Sequence, residues 1–94
     1  IIACLGLTYK PDIDDLRESP AVEIAHGLVS SGIGKVRVVE PNIHEHPDFE
    51  LMPLEEAVAD SDIVLILVAH RQFKSMPRNL LAEKTIIDAC GALL

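Results

Sequence analysis

Four short apolar runs alternate along the chain with segments that carry helical spacing. Ile1–Leu5 is apolar at every position and closes on Gly6. Lys35–Glu40 (KVRVVE), Ile63–Val68 (IVLILV) and Thr85–Ala89 (TIIDA) follow. Near-continuous apolar runs of this length mark strands buried on both faces, not the alternating strands of a half-solvated sheet. Ser19-Pro20 is a helix start, with Ser as N-cap and Pro at the first helical position. Ala21, Ile24, Ala25 and Leu28 follow at helical spacing, Val22 and Val29 widen the same face, and Gly32 and Gly34 end it. Shorter helices are predicted over Pro53–Ala59 and, around Pro77, over Arg71–Met76 and Arg78–Glu83. A short extra strand is expected near Phe49–Leu51. The pattern predicts an α/β fold: a doubly wound parallel sheet of about five strands in the order 3-2-1-4-5, with helices on both faces.

Size and charge narrow the functional classes. Ninety-four residues make one domain or part of one. The chain opens in a strand without an initiator Met and ends just after another strand, which suggests a piece of a longer protein. A net charge of −7 argues against a nucleic-acid binder, and any anionic ligand must be held by cations placed locally. No apolar run approaches the ~18 residues that span a bilayer, and no signal peptide is visible. Cys4 and Cys90 both lie in strand-like runs and are expected to be buried free thiols, which suggests a reducing cytoplasm.

Ligands of doubly wound sheets bind beyond the carboxyl ends of the strands. After the first strand the chain reads Gly6-Leu7-Thr8-Tyr9-Lys10-Pro11. A Rossmann dinucleotide site needs G-x-G-x-x-G here, so that backbone amides reach a pyrophosphate. One glycine does not supply it. The fold is Rossmann-like without that NAD fingerprint. The loop offers Lys10, which can pair a phosphate, and Tyr9, which can stack on a base. The alternative is a surface lysine beside a core-edge tyrosine.

Asp12, Asp14, Asp15 and Glu18 surround Arg17. Their spacing fits no EF-hand, and no metal site is assigned; an Asp–Arg pair that orders the loop beside the helix is the expected use. His44 and His46 lack a third ligand nearby and belong to a solvated loop. His70 follows the Ile63–Val68 strand, where either a ligand contact or a helix cap is in place. Cys4 is mid-strand and inert; Cys90 has no adjacent His–Asp pair to activate it. No catalytic group is assigned.

The run from Gly6 to Ala21, GLTYKPDIDDLRESPA, resembles the motif that opens the C-terminal, UDP-binding domain of the UDP-glucose/GDP-mannose dehydrogenase family. The likeness continues through Val38-Val39-Glu40-Pro41-Asn42, His70-Arg71-Gln72-Phe73-Lys74 and Ile87-Asp88-Ala89, and covers essentially the whole chain. The VVEPN and HRQFK segments are most similar to the branch acting on UDP-N-acetylmannosamine. The resemblance implies a UDP-sugar-binding domain over 1–94 from an NAD-dependent enzyme that oxidises the sugar C6 hydroxyl to a carboxylate. It implies that NAD belongs to an N-terminal domain and the catalytic cysteine to a central segment, neither of them here, and that the full-length form is a homodimer. By similarity the substrate contacts are Tyr9, Lys10, Arg17, His70 and Cys90, with Asp14, Asp15 and Ser19 ordering the loop. One departure stands out: the family usually places a basic residue two positions after the last-strand Asp, where this chain has Cys90.

Two rivals come from other classes. A stand-alone, non-catalytic nucleotide-sugar-binding or assembly module would keep the same loop without partner lobes. A receiver-like signalling domain is rejected, because Asp48 is poorly placed as an acceptor and no Lys follows Thr85.

Overall fold

The first strand, β1 (Ile2–Leu5), is buried at all four positions, with a strand against each of its edges and packed side chains on both faces. The computed structural model describes residues 1–93; Leu94, the last residue of the domain expected over 1–94, lies outside them. After β1 come α1 (Pro20–Ser31), β2 (Val36–Val39), α2 (Leu54–Asp60), β3 (Ile63–Ile66), α3 (Arg71–Lys74), a 3-10 turn (Arg78–Leu81) and β4 (Thr85–Asp88). The strands form one sheet in the order β2-β1-β3-β4, and every pair is parallel. Register aligns Leu5 with Val39 and Ile66, and Ile66 with Asp88. All four strands therefore end along one edge, and the loops that follow them converge there.

Side chains alternate between the two faces of the sheet, as a two-residue period requires. Ala3, Leu5, Val39, Val64 and Ile66 pack with Ala57 and Val58 of α2, Phe73 of α3 and Met76. Cys4 and Val38 point the other way, against Ala25 of α1, Leu7 and Phe49. Helices thus cover both faces, and each fully buried aliphatic side chain contributes about 1.5–3 kcal/mol of transfer free energy. The chain runs from β1 to β2 on one side and then returns past β1 to β3, so the loops after β1 and β3 part at the switch point of the sheet.

Two expectations need correction here. The third of the five expected strands shrinks to a single parallel bridge, Val38 to Leu51, with the Met52 N–H donating to the Val38 carbonyl at 2.9 Å. Pro47 and Pro53 bracket the segment and supply no N–H, so no ladder extends from it. Without that short strand, the observed order is the expected one. Ser19 does stand at the N-cap of α1 with Pro20 behind it, but its side chain makes no capping bond. Its hydroxyl donates instead to the Leu7 carbonyl at 2.6 Å and ties the helix start to the end of β1. Gly32 ends α1 at φ 67, the left-handed geometry that favours glycine.

Candidate functional site

The loop from Gly6 to Ser19 leaves the sheet at the switch point and is held by contacts at both ends. Gly6 turns the chain at φ 104, in close approach to Val68, where a β-carbon would lie 2.7 Å from the Val68 Cβ. Thr8 is buried, and its hydroxyl donates to the Lys10 carbonyl at 2.8 Å. The Tyr9 N–H donates to the Asp15 carbonyl at 2.8 Å. Asp12 adopts φ 61 and Glu18 φ 53, so the loop closes through two non-glycine residues in left-handed geometry. Such residues persist only where surrounding contacts over-determine them.

The contacts on the Leu7–Asp12 side of the loop come from Glu40, at the end of β2, and His70, after β3. Glu40 is 3% exposed and His70 fully buried. Glu40 Oε1 accepts from the N–H groups of Leu7 (2.9 Å) and Thr8 (3.2 Å) and lies 2.8 Å from His70 Nε2. Its Oε2 accepts from the backbone and side-chain N–H of Asn42, at 3.0 and 3.2 Å. Burial alone raises the Glu40 carboxyl, but the donors from His70, Leu7 and Asn42 outweigh it and hold the group below the usual range. The Leu7 and Thr8 amides are therefore spent on Glu40, and this turn does not suit the pyrophosphate of a dinucleotide. On the other side, the Asp12 N–H donates to His70 Nδ1 at 2.8 Å, and the Arg71 N–H donates to Asp12 Oδ1 at 2.7 Å.

The expected contact residues divide by exposure. Tyr9 is 53% exposed, and Lys10 is also exposed, with its Nζ 5.9 Å from the Tyr9 ring centroid. Tyr9 stands between two clefts. One, of about 500 Å³, is lined by Tyr9, Asp15, Arg17 and Glu18. The other, of about 390 Å³, joins Tyr9 to Thr8, Pro11, Pro20, Ile24 and Cys90, among others. Arg17 grips Asp15 in a fork, Nε to Oδ1 at 3.1 Å and Nη2 to Oδ2 at 3.0 Å, and its own N–H donates to Asp15 Oδ1 at 2.9 Å. Those bonds hold Asp15 down at about 2. The rest of the Arg17 side chain faces solvent. Asp14 is exposed in the same loop. His70 stands at the N-cap position of α3, without capping through its side chain and without reaching either cleft.

Cys90 is exposed, contrary to the buried thiol expected, because β4 ends at Asp88 and the chain then turns away from the sheet. Asp88 accepts from the N–H groups of Ala92 and Leu93, both at 2.9 Å, and so shapes that turn. Burial and the neighbouring Asp88 carboxylate both push the Cys90 thiol up. Cys4 is buried as expected, and burial pushes it up to about 12. Neither thiol is activated as a nucleophile. His46 and His26 flank the Phe49 ring at 4.8 and 4.7 Å between centroids. Among the described residues no cluster of three His, Cys, Asp or Glu side chains could hold a metal, and no helix is long and apolar enough to cross a membrane.

Site reasoning from the sequence did not single out Glu40, Asn42 or Asp12 as partners of His70. The available signal was positional: a carboxylate that ends a buried strand and a histidine just after another must meet if those strands flank the same neighbour.

An open loop at the switch point of a parallel sheet is where doubly wound α/β domains take their ligands. Comparison with known proteins specifies it. Residues 3–93 match the UDP binding domain of the UDP-glucose/GDP-mannose dehydrogenase family, and the chain belongs to that family as this domain. It is 45% identical to the UDP-N-acetyl-D-mannosamine dehydrogenase of Escherichia coli K12, over 96% of this chain and 23% of that protein. It is 44% identical to the NDP-N-acetyl-D-galactosaminuronic acid dehydrogenase of Ralstonia nicotianae, over 97% of this chain and 22% of that protein. The native structure of UDP-N-acetyl-mannosamine dehydrogenase Cap5O from Staphylococcus aureus superposes with a TM-score of 0.82 at 33% identity, covering 97% of this chain and 22% of that one. A ternary complex of GDP-mannose dehydrogenase from Pseudomonas aeruginosa gives 0.75 at 26% identity, over 90% and 23%. The chain thus spans under a quarter of the length of these relatives.

Proposed function

We propose that this domain holds the uridine diphosphate end of a nucleotide sugar, and that the intact protein oxidises the C6 hydroxyl of a UDP-N-acetylhexosamine, UDP-N-acetylmannosamine first among them, to the carboxylate. The observation that carries the reading is the exposed Tyr9–Lys10 pair, raised between two clefts on a loop anchored at both ends. Tyr9 offers a face for the base, and Lys10 and the free side of Arg17 offer cations for the diphosphate. Cys90 lines the Tyr9 cleft from the β4 side.

The role in catalysis is positional. Binding energy from the remote diphosphate fixes C6 where groups outside this domain act, and converts affinity into orientation. The residues here do not fit NAD, since the first-turn amides already serve Glu40. The dinucleotide is assigned to a segment outside them. Free thiols at Cys4 and Cys90 fit a reducing cytoplasm.

Calorimetric titration of the intact protein with UDP, against ADP and CDP, tests the reading. UDP binds, and Lys10→Ala weakens it about tenfold, the loss of one charge-assisted contact. No heat with UDP up to millimolar concentration would overturn it.

A further inference from the structure

The two ring nitrogens of His70 face the two ends of the same short arch. Nδ1 accepts from the Asp12 N–H at 2.8 Å, while Nε2 lies 3.2 Å from the Thr8 hydroxyl and 2.8 Å from Glu40 Oε1. Between those two anchor points lie only Tyr9, Lys10 and Pro11. A backbone N–H can only donate, so Nδ1 must present a lone pair. The Thr8 hydroxyl spends its proton on the Lys10 carbonyl, and the Glu40 carboxylate accepts, so the ring proton belongs on Nε2. The Asn42 amide nitrogen, 3.3 Å from Nδ1 and 3.4 Å from Nε2, can donate to the same Nδ1 lone pair; a proton on Nδ1 would confront the Asp12 N–H. The clasp is reciprocal, because Asp12 Oδ1 in turn takes the Arg71 N–H at 2.7 Å. It also holds Asp12 at φ 61, a conformation the residue does not favour unaided.

We infer that His70, as the Nε2–H tautomer, is a positioning residue that clasps the Tyr9–Pro11 arch in the shape that receives a nucleoside diphosphate. It acts from behind the site and does not touch the ligand. This rests on the assignment of Tyr9 and Lys10 as ligand contacts. Released from Nδ1, the Asp12 backbone is free to leave its left-handed geometry, and the lysine two residues earlier loses its fixed bearing.

Three substitutions in the intact protein separate the two ends of the clasp. His70→Asn keeps an oxygen acceptor close to the Nδ1 position for the Asp12 N–H. His70→Gln keeps a donor close to the Nε2 position for Glu40. His70→Leu removes both. Expected for UDP is a loss of roughly tenfold or more in affinity for His70→Leu and His70→Gln, which release the Asp12 N–H, and of no more than about threefold for His70→Asn, which keeps it. Thermal unfolding of each variant is recorded alongside, because a side chain that merely fills space would not rank Asn above Gln in affinity. Equal affinities for the Asn and Gln variants, or wild-type affinity in a folded Leu variant, overturn the clasp and leave UDP binding intact. A wild-type protein that ignores UDP overturns the assignment beneath it, a different result. Where the Leu variant does not fold, nitrogen NMR on histidine-labelled wild type decides: a pyridine-type Nδ1 at His70 supports the clasp, and a protonated Nδ1 overturns it.

Discussion

Glu40 and His70 meet 2.8 Å apart across the carboxyl end of β1, closed off from solvent, though thirty positions separate them in sequence. The carboxylate accepts five hydrogen bonds, from Leu7, Thr8, His70 and, twice, Asn42. Glu40→Gln keeps the shape but turns an NH₂ toward donors in either orientation of the amide. Leaving buried donors unpaired beside it should cost about 2–3 kcal/mol. Urea unfolding checks this: the midpoint falls while the slope stays unchanged, because the surface exposed on unfolding is the same. A loss below about 0.5 kcal/mol, within the range of an ordinary surface change, would show that the carboxylate does not organise the loop.

Acid should loosen the same region. Glu40, with an ordinary value of 4.5, and Asp15, with 3.8, are both held low in the folded chain, Asp15 at about 2. The unfolded chain therefore binds protons first as pH falls. The stability these groups contribute is complete above their ordinary values and drains away as pH drops from about 4.5 through the folded values. Unfolding midpoints measured from pH 7 down to pH 3 should fall in that window, and Glu40→Gln should flatten the fall. Asp15 and Arg17 are open to solvent, so their share should shrink at high salt while that of buried Glu40 persists.

What the sequence disclosed was periodic or local. The apolar runs at Ile2–Leu5, Val36–Val39, Ile63–Ile66 and Thr85–Asp88 and the Pro20 and Gly32 boundaries of α1 are short-range signals, and strand order follows from few rules of connection. The place of Tyr9 and Lys10 beyond the end of β1 was legible, because the apolar run before them marks where that strand stops. The rest depended on distant partners. Ser19 has the identity of a cap, yet Leu7 outbids the helix for its hydroxyl. Cys90 follows an apolar run, yet β4 is an edge strand with Ile87 half exposed, and the turn shaped by Asp88 carries the thiol outward. No spacing rule pairs position 40 with position 70; only the sheet order does.

Gly6 should tolerate no side chain. Its φ of 104 is strained for any L-residue, and an added Cβ would lie 2.7 Å from Val68 Cβ and 3.0 Å from the Val68 backbone nitrogen. Strain and overpacking together put Gly6→Ala at about 2–4 kcal/mol. Val68→Ala on the same background removes the Val68 Cγ2 contact at 2.8 Å and leaves the Cβ contact and the strained φ. A double-mutant cycle should then show the pair less destabilised than the sum of the singles by about 1 kcal/mol. Strict additivity would mean that the backbone has moved and the contact no longer exists.

The two thiols should separate cleanly by reactivity. Cys4 is buried and held at about 12, so a thiol reagent reaches it only through unfolding. Cys90 is exposed but also raised, and so reacts in the native state, more slowly than an unperturbed thiol and faster as pH rises. Labelling the native protein with a thiol reagent and mapping the modified peptides should find Cys90 modified and Cys4 untouched, with both modified in denaturant. Native labelling at Cys4 would show that the sheet opens at β1 under native conditions.

Cys90→Arg should tighten the hold on UDP. The position lines the same cleft as Tyr9, lies beyond the end of β4, and is exposed, so a longer side chain meets no core there. Asp88, the nearest carboxylate, already accepts from Ala92 and Leu93, which leaves a guanidinium at position 90 partly free to face a diphosphate. On a chain of net charge −7, an added cation at the cleft also works against a repelling field. Affinity for UDP should rise several-fold, about 1 kcal/mol, and should fall more steeply with salt than that of the wild type. Titrations at two salt concentrations check both. An unchanged affinity with an unchanged salt dependence would place the phosphates on the Arg17 side of Tyr9, away from β4.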